Sequence, residues 1–294
     1  MQHATKTLHK NTFFVQTTTS HIIFFYTFAT SYITMTNTLH QIQARATYLR
    51  HAHRKGGYGI HSPFVFHWLN SVLYERTPFY AYNRLRRLRQ QLFHNTDTIT
   101  LQGFGTAGSR QSTIHHIVKH SCSKRKYAEL LFRIVNASHA RHIIELGTNV
   151  GLTTLHMAAA DSQARIITLE GEPQLHTFAQ TLFDKHHADN IRAICGDIDH
   201  TLAQALQTMP TIDLVFFDAN HTGEATMRYF RQCRPHAHQH TLFIFDDIHR
   251  SADMEQAWHT IQTDTHITTT IDIFQMGIAF FNTDLQKENH IVAF

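Results

Sequence analysis

The sequence predicts an α/β fold, a doubly wound parallel sheet behind a helical N-terminal region, on three observations. IIELGTNVGLTTLHMAA (143–159) reads as a buried strand, a tight glycine turn and a helix start in immediate succession. Ile143, Ile144 and Leu146 form the apolar run, Gly147 and Gly151 let the backbone turn and approach a ligand, and Leu152 to Ala159 continues at helical spacing. Arg165 to Leu169 is a second apolar-rich run, ending in Glu170. That acid lies about 20 residues beyond the loop, where a doubly wound fold places a carboxylate for a ribose hydroxyl pair. Finally, TIDLVFFDANH (211–221) and HTLFIFDDIHRS (240–251) read as buried strands delivering Asp218, Asn220 and His221, then Asp246, Asp247 and His249. The ends of parallel strands open onto one crevice, so these acids meet without being neighbours in sequence.

The elements follow in order. FFVQTTTSHIIFFYTFATSYI (13–33) is apolar but broken by threonines, and its longest clean stretch, Ile22 to Ala29, falls far short of the roughly 20 residues of a spanning helix. No membrane association is expected, and the reading is that the natural start is Met35 with residues 1–34 a non-native or disordered extension. Residues 35–140 read as a helical accessory or lid region. Leu39 to His53, Pro63 to Tyr74 and Tyr82 to Phe93 carry apolar residues at three- and four-residue spacing, with Ser62-Pro63 as cap and first helical position. Ile99 to Leu101 is extended, and helices are expected over Gln111–Lys119 and Lys126–Val135. Gly103, Gly105, Gly108 and Ser109, with Tyr58, His61 and Ser62, read either as a lid or as flexible connectors. In the domain 141–294 an apolar run ends at Cys195, followed by Gly196 and Asp197. The helix Ala252–Ile261 precedes the β-rich runs Ile267–Phe274, Gly277–Phe281 and Ile291–Phe294.

Composition narrows the function classes. With 42% apolar and 16% charged residues the chain is globular. Residues 1–142 hold 18 Lys and Arg against three acids, whereas residues 143–294 hold eight against 19. A nucleic-acid surface would explain such a surplus, but no Lys/Arg run interleaves with aromatics as single-strand binders require. A basic helical layer on an acidic sheet domain explains it too. RLRRLR (84–89) is the densest local cluster. Cys122, Cys195 and Cys233 have neither disulfide-like nor metal-like spacing, which fits a reducing, cytoplasmic compartment. The 27 histidines are dispersed, and make net charge climb below neutral pH.

The glycine spacing is not GxGxxG, since no third glycine closes the helix against the sheet. It resembles instead the E-x-G-x-x-x-G loop of class I S-adenosyl-L-methionine-dependent methyltransferases. From about Tyr48 to Phe294, GIHSPFVF (59–66), FGTAGSR (104–110), IIELGTNVG, DANH, FDDIH and IDIFQMGIAFF (271–281) resemble a family of these enzymes common in Bacteroidetes. The catalytic part is similar to O-methyltransferases of the catechol and caffeoyl-coenzyme A type. This resemblance implies a Rossmann-like sheet of seven strands, the seventh antiparallel.

It further implies that Glu145, Gly147, Thr148 and Gly151 hold the methionine end of the cofactor, Glu170 the ribose, and Gly196 with Asp197 the adenine side, with Asp218 a further cofactor contact. Such enzymes bind a divalent metal through an aspartate after one strand and an Asp-Asn pair after the next. Asp218 and Asp246 match two of those ligands, while Asp247 stands where the family has asparagine. His221 stands where some members carry a catalytic lysine. The candidate set is therefore Asp218, Asp246 and Asp247 for Mg2+ or another divalent cation or for orienting the acceptor, with Asp218, Asp246, His221 and His249 as candidate catalytic groups. The expected activity is O-methylation of a small molecule. RNA or protein methylation through the basic half, and cofactor binding without catalysis, are the alternatives. The acceptor and the oligomeric state are not encoded in any motif.

Overall fold

The computed structural model describes residues 39–53, 59–102 and 109–294. The expectations for residues 1–34, for Tyr58 and for Gly103, Gly105 and Gly108 lie outside these residues. A helix over 39–51, α1, comes first. α2 (Pro63–Trp68) follows, capped by Ser62, whose Oγ accepts from Val65 N. The helix expected to run on to Tyr74 instead widens into a π turn over Leu69–Leu73. α3 (Tyr80–Phe93) leads to a hairpin of β1 (Thr98–Leu101) and β2 (Arg110–Thr113). Residues 111–113, expected to be helical, are thus extended, because Thr113 caps α4 (Ile114–His120) by accepting from His116 N. α5 (Arg125–Ser138) brings the chain to the main sheet.

Five βα units supply the parallel part: β3 (His142–Leu146), α6 (Leu152–Ala160), β4 (Arg165–Glu170), α7 (Pro173–Lys185), β5 (Ile191–Cys195), α8 (Ile198–Thr208), β6 (Ile212–Phe217), α9 (Gly223–Cys233), β7 (Ala237–Asp246) and α10 (Ala252–Thr263). β8 (Thr269–Asp272), β9 (Met276–Phe280) and β10 (Glu288–Ile291) complete it. The spatial order is β10-β8-β9-β7-β6-β3-β4-β5, eight strands rather than seven. β9 runs antiparallel to both β7 and β8, as expected of the seventh strand. The extra strand is β10, whose Glu288–Ile291 pair in parallel with Thr269–Asp272. Sequence periodicity placed this last run three residues later. A four-residue edge strand carries too little alternation to fix its bounds.

Central strands read as unbroken apolar runs because helices cover both faces. Val215, Phe216 and Phe243 are fully buried, each adding roughly 1.5–3 kcal/mol of burial free energy. The helical region shares these cores. Val65, Leu69 and Leu73 pack with Ile143, Phe216 and Ile278, while Leu85 and Phe132 pack with Leu155 and Phe183. α1 is tied to the sheet edge by Tyr48 Oη, which donates to Val292 O at 2.6 Å.

Three arginines of the basic half serve this docking. Arg86 pairs with Glu129 at 2.8 Å, Arg89 donates to Ser123 O, and Arg133 donates to Val72 O and Leu73 O. Two arginines of RLRRLR are therefore partnered within the fold. No helix of the described residues is long and apolar enough to cross a membrane.

Candidate active site

The switch point of the sheet lies between β3 and β6, and the chain leaving each strand there builds the crevice. Gly147 has φ +99°, and a Cβ on it would sit 2.3 Å from Asp218 O. Gly151 has φ +79° and would place a Cβ 2.5 Å from the Phe183 ring. Both glycines are thus required by conformation and by contact. Their loop is pinned from the neighbouring strand, with Gly147 N and Thr148 N donating to Leu169 O.

Three acids predicted for the cofactor are each held by local donors. Glu145 is fully buried; its Oε2 accepts from Thr154 Oγ1 at 2.5 Å and Thr168 Oγ1 at 2.7 Å, while Oε1 has no partner. Burial, only partly offset by those hydroxyls, pushes its pKa up to about 7. Thr148 Oγ1 completes this cluster at 2.6 Å from Thr168 Oγ1. Glu170 accepts from Asn149 N at 2.7 Å and from Glu172 N at 2.9 Å, one oxygen each. It therefore organises its own turn and the glycine loop, yet each oxygen keeps a lone pair for a ligand hydroxyl. Burial raises its pKa above the ordinary value. Gly196, at φ +141°, donates to Glu170 O, and Asp197 caps α8 by accepting from Asp199 N at 3.0 Å. Gly147, Glu170, Asp197, Ile198 and Asn220 line a cavity of about 420 Å³.

A second cavity, of about 400 Å³, holds the other acids, with Asp218, His221, Asp246, Asp247 and Gln275 in its lining. Burial first, then the charge of Asp246, drives Asp218 well above the carboxylate range; burial and Asp247 push Asp246 up to about 7. Repulsion between these neighbouring buried carboxyls favours keeping one of them protonated. His221 lies 3.8 Å from Asp218 Oδ1 and 3.6 Å from Asp247 Oδ2. Burial holds its pKa below the usual histidine value against the pull of Asp247, which keeps the imidazole neutral and able to accept a proton. Asn149, Asn220, His221, Asp247 and Phe274 all have positive φ, between 40° and 71°. Such backbone strain collects where function over-determines geometry.

His249 is the predicted residue that the fold takes elsewhere. Its ring is gripped by Asp272 at 2.8 Å and Glu255 at 3.2 Å and stacks on Phe274, outside the acid cavity. Burial opposes its charge, but the bond to Asp272 and both carboxylates outweigh it and raise its pKa. The fold thus holds it in an ion-pair cluster and not in the lining of the acid cavity. Conversely, sequence reasoning missed Gln275 and Arg250. Gln275 Nε2 donates to Asp246 Oδ1 at 3.2 Å and also to Asp247, and Arg250 Nη1 donates to Asp247 Oδ2 at 2.9 Å. Gln275 stood inside IDIFQMGIAFF, but nothing local marks it as a partner of an acid 29 positions away.

The donor chemistry suits a hard divalent cation, since three carboxylates line one cavity and Arg250 pairs with just one of them, Asp247. The side chains do not close around one point, however. Among the described residues no group of three or more His, Cys, Asp or Glu is arranged to hold an ion, Asp247 being turned toward Arg250 and Gln275.

Comparison with known proteins bears on this crevice. Residues 144–248 match the model of a methyltransferase domain. Catechol O-methyltransferase of Mycobacterium tuberculosis is 29% identical over 129 residues, 42% of this chain and 54% of that protein. An O-methyltransferase of Aspergillus hancockii is 31% identical over 113 residues, 37% of this chain and 38% of its own length. The chain thus spans about half the length, or less, of these curated relatives. The O-methyltransferase of Bacillus cereus, solved in complex with SAH, superposes with a TM-score of 0.50 at 14% identity, covering 74% of this chain and 97% of that one. From β3 to the turn after β7 the chain therefore matches a methyltransferase domain, carried on the Rossmann-like fold of the class I O-methyltransferases.

Proposed function

We propose that this chain is an S-adenosyl-L-methionine-dependent O-methyltransferase acting on a small molecule. The observation that carries the reading is the adjacency of two unlike cavities. One has the glycine loop and Glu170; the other has a paired-acid floor, and Gly147 and Asp218 touch at their junction. The solved relative bound to SAH, the demethylated product of that cofactor, supports the choice of ligand.

When bound, S-adenosylmethionine supplies a methyl group already activated by its sulfonium, so the protein's work is chiefly alignment. Glu170 offers its carboxylate to the ribose and Asp197 lies on the adenine side. Gly147, Thr148 and Gly151 let the methionine end approach, and the unpartnered Oε1 of Glu145 lies beneath them. Asp218 and Asp246 would orient the acceptor hydroxyl and His221 Nε2 would take its proton, while the bound cofactor would supply the methyl group to that oxygen, its carbon–sulfur bond breaking and SAH leaving. Asp218, Asp246 and Asp247 would hold a divalent cation, which when bound would make that hydroxyl more acidic.

Calorimetry with SAH tests the cofactor assignment, with saturable binding expected in the wild type and strong weakening in Glu170→Gln. Equal affinity in both proteins would remove Glu170 from the site, and no binding in either would end the methyltransferase reading. Transfer of label from the cofactor to an extract of small molecules then tests turnover.

A further inference from the structure

The acid cavity is roofed by cations. Its lining includes Lys119 from the last turn of α4, Ser123 and Lys124 from the segment joining α4 to α5, and Arg250 from the loop after β7. Arg250 is already held by Asp247 at 2.9 Å, so each neutralises the other. Lys119 and Lys124 pair with no carboxylate among the described residues, and together they leave the rim positive. Ser123 Oγ is buried at the same rim without a hydrogen-bond partner. α5 also begins here: Lys124 is its N-cap, makes no side-chain capping bond, and no acid occupies the first turn. Its free N–H groups and the positive end of its dipole add to the lysine charges.

The walls sharpen the point. A site for a flat apolar acceptor is lined mainly by aliphatic and aromatic side chains. Histidines apart, the one aromatic ring here is Tyr127, and the other lining groups are lysines, serines, carboxylates and amides, with Cys122. A neutral catechol-like ring would displace water from these groups without replacing its hydrogen bonds.

We propose that the methyl acceptor carries an anionic oxyacid group, a carboxylate or phosphate. Lys119, Lys124 and Ser123 bind that group at the rim, while the acceptor hydroxyl reaches Asp218, Asp246 and His221 on the floor. The cavity of about 400 Å³ sets the acceptor as a small molecule. This proposal rests on the methyl-transfer reading but is decided separately from it.

The test is a titration of inorganic phosphate into the SAH-saturated protein in the presence of chelator, read by calorimetry and by thermal shift. The wild type should bind phosphate saturably. Lys119→Gln/Lys124→Gln should bind it at least about fivefold more weakly, the scale of two partly exposed charge contacts, while SAH affinity stays within about twofold because neither lysine lines the cofactor cavity. Lys119→Arg/Lys124→Arg should keep phosphate binding, which separates loss of charge from loss of structure. A parallel titration with acetate assigns the group, the tighter of the two anions naming it. No saturable binding of either anion, or equal binding by wild type and the glutamine variant, overturns the proposal. If SAH itself fails to bind, the methyltransferase reading falls, and the same phosphate titration on the free protein still judges the rim.

Discussion

The two halves of the crevice keep buried acids by opposite means. On the cofactor half, Glu145, Glu170 and Asp197 each take hydrogen bonds from nearby hydroxyls or backbone N–H groups, with only Oε1 of Glu145 left unpartnered. On the acceptor half, Asp218, Asp246 and Asp247 lean on one another and on Gln275 and Arg250. Acids satisfied singly form a rigid mould for a ligand. Carboxyls that face one another, as Asp218 and Asp246 do, favour holding a proton between them, which is a condition for moving one.

Several variants sharpen or break that contrast. The largest effect is expected from Gly147→Val, because a Cβ at the junction meets Asp218 O at 2.3 Å in a positive-φ conformation. Urea unfolding should give a loss of roughly 3 kcal/mol or more, in the range of severe core and backbone lesions. Normal stability together with normal SAH affinity would mean the halves share no such junction. Next in size is a separation of effects between Glu170→Gln and Asp246→Asn. The first should weaken SAH about tenfold or more through loss of a charge-assisted contact. The second should leave SAH affinity within twofold and lower turnover about a hundredfold, the scale of a lost acid–base or orienting group. Parallel losses in both variants would abolish the distinction.

A divalent cation should act on the acceptor half alone. Magnesium at a hundred times its dissociation constant would stabilise the wild type by about 2.7 kcal/mol, read as a rise in melting temperature that Asp246→Asn removes. An unresponsive wild type would dispense with the cation. A pH-dependent effect is expected at α6, where burial holds the His156 imidazole down to about 4 from an ordinary 6.5. The native state stays neutral there while the unfolded chain takes up a proton. Stability is therefore complete above pH 6.5 and falls toward pH 4 by at most about 1.4 kcal/mol per unit. Subtracting the pH profile of His156→Gln from that of the wild type isolates this residue from the other histidines. A flat difference would refute the buried neutral imidazole.

By itself the sequence determined the strand–glycine–helix unit, the acids at the ends of β4, β6 and β7 and the docking helices, while the antiparallel direction of β9 came from the resemblance. These are local properties, carried by period-2 or 3.6 patterning, by glycines at turns and by the residue that ends each run. The resemblance of the motifs added the cofactor and the numbering of its contacts. Tertiary structure alone decided which acids touch, that His249 turns to Asp272 and Glu255, and that Gln275 and Arg250 complete the acceptor half. It also decided that β10 adds an eighth strand, and that Lys119 and Lys124 roof the cavity. The physical reason is separation along the chain. A contact between strand ends depends on sheet order and on which neighbour desolvates or bonds the group, and no window of sequence contains both partners.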